Sequence, residues 1–450
     1  MKVHCEQAEK HIMCKTCLIV GVAAVATVLL CGCQCGDTCP TALDEFPVWS
    51  VPRRITSGPR EHLLASYFGI DCWSPSHRYV LALETTLNGK IPDVQDRATV
   101  GIIDLQDDNR FIPVSTTGCW NFQEAAMGHW LDDDTVVFND LRDGKFVTVV
   151  LNLRTKDERL LPHPVAAVSK DRTWAVSVNF ARLRLTRPDY GYPGEGQDPR
   201  RKVMFPEDDG IWSMDLRTGE SKLILSVADV RGMIPAVTQD PTKPGNPLAY
   251  FCHTAISADG KKVFFLARSV NWYDEKTMSV QRPWFTTAFT MNRDGSELRR
   301  CFPDGWGGSH FNWAPDGTHR MVVTGQWNGS KEYGHIEFEV GKEDGRTRLA
   351  GSALGWDGHC IYSPDMKFLS TDGYRDQSGS RRWVQVRLAD GEIHSEGRFF
   401  VPAAYMEGPW RCDLHARYRP DGRQLAFNSA HEGSRQIYLR DVTKPVVLNP

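Results

Sequence analysis

From about residue 61 the chain consists of strand-length runs in which apolar and polar residues alternate, and no helical period holds over ten or more residues. The runs are of two kinds. One is a cassette of inner strand and turn, clearest at Ala416-Arg417-Tyr418-Arg419-Pro420-Asp421-Gly422. Its proline presets φ, its aspartate folds back on its own backbone, and its glycine accepts a positive φ. The cassette recurs at Trp313-Ala314-Pro315-Asp316-Gly317, Tyr362-Ser363-Pro364-Asp365-Met366 and Ile256-Ser257-Ala258-Asp259-Gly260. Looser copies stand at Trp73-Ser74-Pro75-Ser76, Trp130-Leu131-Asp132-Asp133 and Val168-Ser169-Lys170-Asp171. The other kind is an outer hairpin of alternating strands, as around Gly101, Val149, Ile211, Phe289, His335, Val384 and Gln436. Seven cassettes alternating with seven hairpins predict an all-β chain folded as a seven-bladed β-propeller. A pair of β-sandwiches does not explain that count. Extra length falls at Leu183–Asp209 and Ser269–Phe285, and a segment around Trp49–Tyr67 is expected to close the ring.

The first residues read differently. Lys2, Lys10 and Lys15 precede an apolar run from Cys17 to Leu30, the length of a signal-peptide core and short for a membrane span. It ends on Leu30-Cys31-Gly32-Cys33, which resembles a bacterial lipobox with Cys33 as the lipidated residue. The expected organisation is a signal peptide over 1–32, a proline-bearing tether over 33–60 and the propeller over 61–450. An exported protein follows, in the periplasm or as a bacterial cell-envelope lipoprotein that meets the membrane only through its anchor. Thirteen cysteines thin to six after Cys39, with no CxxC pair among those six, so a zinc ribbon is not expected. The net charge is −3 without a basic stripe, which gives nucleic acid nothing to bind. Phosphate loops, HExxH and G-x-S-x-G motifs are also lacking.

Chemistry gathers ahead of four successive cassettes. His253, His310, His359 and His415 each stand seven residues before Gly260, Gly317, Met366 and Gly422, and the other three repeats lack the histidine. In a propeller these positions converge at one mouth of the channel. Asp413, two residues before His415, would face the same way if the strand has already begun. Imidazoles with a carboxylate suit a divalent transition metal such as Mn²⁺, Zn²⁺ or Fe²⁺; histidines bonded between blades are the bland alternative. Aromatics precede each histidine (Tyr250, Trp306, Trp356, Trp410) and suit stacking on sugar rings. The first insertion carries Arg182, Arg187, Tyr190 and Tyr192, read as an acidic-sugar clamp and a phenolic acid or base. Gln123 and Asn139 offer polar groups on the second blade.

With these cassettes the chain resembles the propeller polysaccharide lyases of the oligogalacturonate and ulvan lyase type, and more broadly TolB-like propellers, over about residues 60–450. In oligogalacturonate lyases, histidines on the last blades and a glutamine bind a divalent metal, and another histidine is the base. The resemblance implies His359, Asp413 and His415 as metal ligands and His310 as base, with His253 second. Asp413 stands where that family has histidine, and no glutamine ligand is obvious. Ulvan-type lyases use early-blade histidines, where this chain has Gln123 and Asn139. The implied activity is metal-assisted β-elimination on a uronic-acid-containing oligosaccharide or polysaccharide, with Tyr190 or Tyr192 protonating the leaving oxygen. A non-catalytic propeller that binds glycan or protein and a metal-dependent glycan hydrolase stand as alternatives.

Overall fold

Successive side chains of a strand point to opposite faces of its sheet, and here both faces are covered. In the strand Thr135–Arg142, Val136 and Phe138 join an apolar cluster with Leu63, Leu81 and Val100, while Val137 joins one with Val176 and Met214. Each sheet is thus a leaf between two others: inner strands such as Tyr79–Thr85 are buried on both faces, while outer ones such as Arg110–Thr117 stay largely exposed.

The computed structural model describes residues 43–443, apart from 195–197, 236, 238–245, 275–278, 281–283, 304–306, 328–329 and 343–344. The signal peptide over 1–32, Cys33 and Trp306 lie outside the described residues. The chain forms a seven-bladed β-propeller: seven antiparallel sheets, four strands each, with a fifth short strand, Ser279–Val280, on one of them. Blades 1 to 6 span residues 61–117, 129–161, 167–226, 246–300, 308–349 and 360–400. Blade 7 takes three strands from 417–441 and its outermost from Arg53–Arg54, which pair with Leu439 and Tyr438. Part of the expected 33–60 tether is therefore structural, and the ring is closed by joining the two ends of the chain.

The cassettes explain the regularity. The residue at the glycine position has φ near +60 to +78° at His77, Arg172, Gly260, Gly317, Met366 and Gly422, whatever its side chain. Local hydrogen bonds hold it: Ser257, Ser363 and Ser169 donate to Asp259, Asp365 and Asp171 at 2.6–2.7 Å. The cassette tryptophans tie blades together. Trp130 Nε1 donates to Cys72 O of blade 1, and Trp313 Nε1 to Ala255 O of blade 4.

The two insertions differ. Ser269–Phe285 prolongs the blade 4 hairpin, whose strands run Lys262–Asp274 and Trp284–Asn292. The other opens with a seven-residue helix, Phe180–Thr186, capped by the Asn179 side chain. Among the described residues no helix is long and apolar enough to cross a membrane. Cys72, Cys119, Cys252, Cys301, Cys360 and Cys412 are buried free thiols.

Candidate active site

Two of the register histidines, His253 and His310, lie at register shifts within their inner strands, and the other two, His359 and His415, lie just ahead of theirs. His253 sits at a bulge in the strand Asn246–Ile256 with φ +52°, and His415 has φ +47° just ahead of Arg417–Tyr418. Such backbone is unfavourable for a non-glycine residue and is kept where the surroundings enforce it. Tyr67 and Phe68 form the floor under the rings. Tyr67 stacks on His253 at 5.4 Å and meets His415 edge-on at 5.2 Å, and Phe68 meets His359 at 5.0 Å. The buried Arg417 guanidinium holds this floor by donating to the backbone carbonyls of Ser66 and Tyr67.

His359, Asp413 and His415 form a buried triad whose ligand atoms lie within 4.8 Å of one another. The two Nε2 atoms are 3.2 Å apart, close to the spacing of two nitrogens that share one cation at about 2.1 Å. Asp372 sets the His359 ring: its Oδ1 accepts from both Nδ1 and the backbone N at 2.8 Å, which leaves Nε2 as the coordinating atom. Arg381 and Arg411 lie 2.7 and 2.8 Å from Asp413. Both contacts are ion pairs outside hydrogen-bond alignment, so each buried Asp413 oxygen keeps lone-pair capacity for a further ligand. Burial opposes the Asp413 charge, yet the two guanidiniums and two imidazoles hold the carboxyl well below the usual range. A buried anion with open lone pairs beside two facing nitrogens fits a divalent cation. Asp413 and His415 converge although the strand begins only at Arg417, so the turn in this segment, not strand alternation, brings them together.

His310 adjoins the triad, its ring centroid 4.2 Å from that of His359. Asp357 Oδ1 is 2.9 Å from His310 Nδ1 and also accepts from Thr324 at 2.6 Å, so Nε2 is the nitrogen turned away from the carboxylate. The Tyr374 hydroxyl stands 3.5 Å from that nitrogen. Burial pushes the His310 imidazole below its ordinary value, against the pull of Asp357. His253 pairs instead with Glu124, Nδ1 to Oε1 at 3.2 Å.

His253, His310, Tyr190 and Tyr374 line a cavity of about 510 Å³ with Arg187, Arg268, Arg300 and Arg411. Arg187 is held bidentate by Asp189. Arg268 is 7% exposed, and its Nε and Nη1 have no hydrogen-bond partner among the described residues. A buried guanidinium with open donors on a cavity wall is built to meet an anion. A second cavity, of about 570 Å³, adjoins Tyr67, Phe68 and the turn cassettes at the other ends of the inner strands.

No family model and no curated protein matches this sequence. Among solved structures the chain is similar to an oligogalacturonate lyase in complex with manganese, at 16% identity and TM-score 0.56 over 87% of this chain and 93% of that one. An oligogalacturonate lyase from Vibrio parahaemolyticus matches over the same shares at 13% identity and TM-score 0.56. TolB from Acinetobacter baumannii matches at 12% identity over 82% of this chain and 81% of that one, with TM-score 0.37. The fold is that of the oligogalacturonate lyases.

Several residues expected at the site lie elsewhere. Tyr192 is fully buried behind the wall, stacked on Phe180 with its hydroxyl accepting from Asn139. Asn139 also donates to Val165 O, so both residues serve blade packing. Arg182 spends its donors on Asp198 and the carbonyls of Ala249, Arg200, Val203 and Met204. Gln123 donates to Pro409 O and Arg411 O, which fixes the loop that carries Asp413. Trp356 packs under Arg382, and Trp410 against the cluster shared by blades 1 and 2. Tyr250 is buried in its strand. None of these three aromatics lines the cavity beside His310. Tyr190 and Arg187 do line the cavity. The residues that sequence reasoning missed are Asp357, Asp372, Glu124, Arg268 and Tyr374. Only Asp357 left a signal: it precedes His359 by two residues, as Asp413 precedes His415.

Proposed function

We propose that the protein is a lyase that cleaves uronic-acid-containing oligosaccharides by β-elimination. The observation that supports this reading is an aspartate-oriented imidazole, His310, packed against a buried triad of metal-ligand character. The C5 proton of a uronate lies α to its carboxylate, and removing it requires that the carboxylate's charge be offset. His359, Asp413 and His415 would hold a divalent cation such as Mn²⁺, which when bound supplies Lewis-acid neutralisation of that charge. Manganese in the oligogalacturonate lyase of the same fold supports the choice. His310 takes the proton at Nε2, because Asp357 occupies Nδ1 and stabilises the imidazolium that forms. Arg268 and Arg187 receive the acidic groups of the sugar, and Tyr190 shapes the wall beside them. Export through the N-terminal segment, with Cys33 as lipid anchor, is part of the same proposal and agrees with a glycan substrate.

The test is ultraviolet absorbance of the unsaturated product on a panel of uronate glycans, with and without chelator. Absorbance that rises, disappears with chelator and returns with one metal is expected. His310→Ala should lower turnover by about 10²–10⁴-fold with an unchanged unfolding midpoint. New reducing ends without that absorbance would refute the lyase reading, and full activity in the His310 variant would refute the assignment of His310 as base.

A further inference from the structure

The Glu124–His253 pair is used neither by the base nor by the metal-ligand triad. Glu124 lies on the loop between blades 1 and 2 and His253 on the inner strand of blade 4, so this contact joins distant blades across the funnel. Glu124 is 5% exposed. Its one ion-pair partner among the described residues is the His253 imidazole, and the nearby Arg187 is engaged by Asp189. The His253 ring is fixed on both sides, stacked on Tyr67 and edge-on to Tyr190 at 4.7 Å. It lines the same cavity as His310, and with Nδ1 taken by Glu124, Nε2 is the atom left for a ligand.

The surrounding charges decide where the protons sit. Burial, then Arg268, Arg187, His310 and His359, push the His253 imidazole well below its ordinary value, so an imidazolium is disfavoured. Burial raises the Glu124 carboxyl to about 8, with Arg187 and Arg268 opposing and Asp189 reinforcing. Both shifts favour a carboxylic acid beside a neutral ring, an arrangement in which the acid O–H would donate to Nδ1 across the 3.2 Å contact. Nε2 then carries the other hydrogen.

We propose that Glu124 and His253 form a proton relay that protonates the leaving oxygen, a proposal that rests on the β-elimination reading. As His310 takes the C5 proton, the C5–H electron pair becomes the C4–C5 double bond, and the C4–O pair departs with the oxygen. The Nε2 proton of His253 goes to that oxygen, and the Glu124 proton moves to Nδ1. Glu124 ends as a carboxylate and the imidazole stays neutral, so no cation forms beside Arg187 and Arg268. The relay gives His253 the role that the sequence suggested for the tyrosines.

Glu124→Gln separates proton supply from positioning, because the amide still donates to Nδ1 but has no proton to yield. On a uronate glycan its turnover should fall about 10²-fold with KM little changed, and the decline of wild-type activity above about pH 8 should vanish. On a uronate with an aryl ether at C4, whose leaving group needs no acid, the variant should match the wild type within a few-fold. Wild-type turnover on the glycan, or an equal loss on both substrates, overturns the relay. Nitrogen NMR of histidine-labelled protein reads the tautomer without catalysis: Nε2–H is expected at His253 in wild type and variant alike. Nδ1–H there overturns the relay even if no glycan is cleaved, and absence of cleavage alone overturns only the lyase reading.

Discussion

Two aspartates orient two neighbouring histidines, and the difference in what those histidines do separates the aspartates experimentally. Asp357 bonds His310 and Thr324, whereas Asp372 holds His359 through ring and backbone and also reaches the His415 backbone N at 3.3 Å. Asp357→Asn should lower turnover about 10²-fold at unchanged metal affinity. Asp372→Asn should weaken metal affinity about 10–100-fold, with turnover restored by excess metal. Titration of metal into each purified variant, alongside turnover, distinguishes them; equal metal affinity in both would remove the assigned role of Asp372. Residues outside the site also leave a pH signature. Burial lowers His335 to about 4, against its bond to Leu354 O, so the folded state takes up its proton later than the unfolded chain. Stability from this group is present above about pH 6.5 and is lost as pH falls from there toward 4. Buried carboxyls such as Asp71, raised by desolvation to about 6, shift the total in the opposite sense. The clean readout is therefore the difference in urea midpoint between wild type and His335→Gln, which should shrink across that window; a constant difference would show that His335 does not titrate there.

At the scale of elements, the insertion on blade 3 is a bracket that holds one wall of the funnel. Its helix buries Arg182, which satisfies the carbonyls of a loop otherwise without regular structure, and the chain then turns through Arg187 and Tyr190 into the cavity. Arg182→Ala would leave the buried Asp198 without its guanidinium and remove one donor from each of four carbonyls, a loss of about 3–5 kcal/mol. Thermal unfolding should show that loss together with a raised KM; a variant as stable as the parent would mean the bracket is dispensable. The same contrast decides what the sequence made legible. The turn cassettes repeat, so seven blades and four histidines in register could be read from spacing alone. Asp372 ends the second strand of blade 6, Arg268 lies on the long hairpin and Glu124 on a connecting loop, and no repeat fixes the register of any of them. Arg182 and Tyr192 looked functional because polar groups in a loop suggest solvent; only the fold shows that the loop folds inward and uses them for itself.

The molecule as a whole is held by a closure that uses the first described residues. Arg53–Arg54 complete blade 7, Trp49 bridges Val442, and Thr56 donates to Gln436 at 2.7 Å beside His62. Trp49 and Ile55 are 8% and 3% exposed, and burial of each contributes about 2–3 kcal/mol. Blade 7 also carries Asp413 and His415 on its approach loop, while His359 comes from blade 6. The proposed cation site therefore spans two blades, and one of them is complete only when the ring is shut. Removing residues 43–56 deletes no ligand and no cavity residue, yet it frees the outer edge of Gln436–Asp441 and loosens the blade that positions two ligands. The shortened protein should bind metal at least tenfold more weakly and unfold at lower urea, and saturating metal should recover part of that stability because binding favours the closed ring. Calorimetric titration with Mn²⁺ at matched protein folding tests this directly. Unchanged affinity in a destabilised protein would show that the ligand loop is held by blade 6 and the Tyr67–Phe68 floor, and that closure serves stability alone.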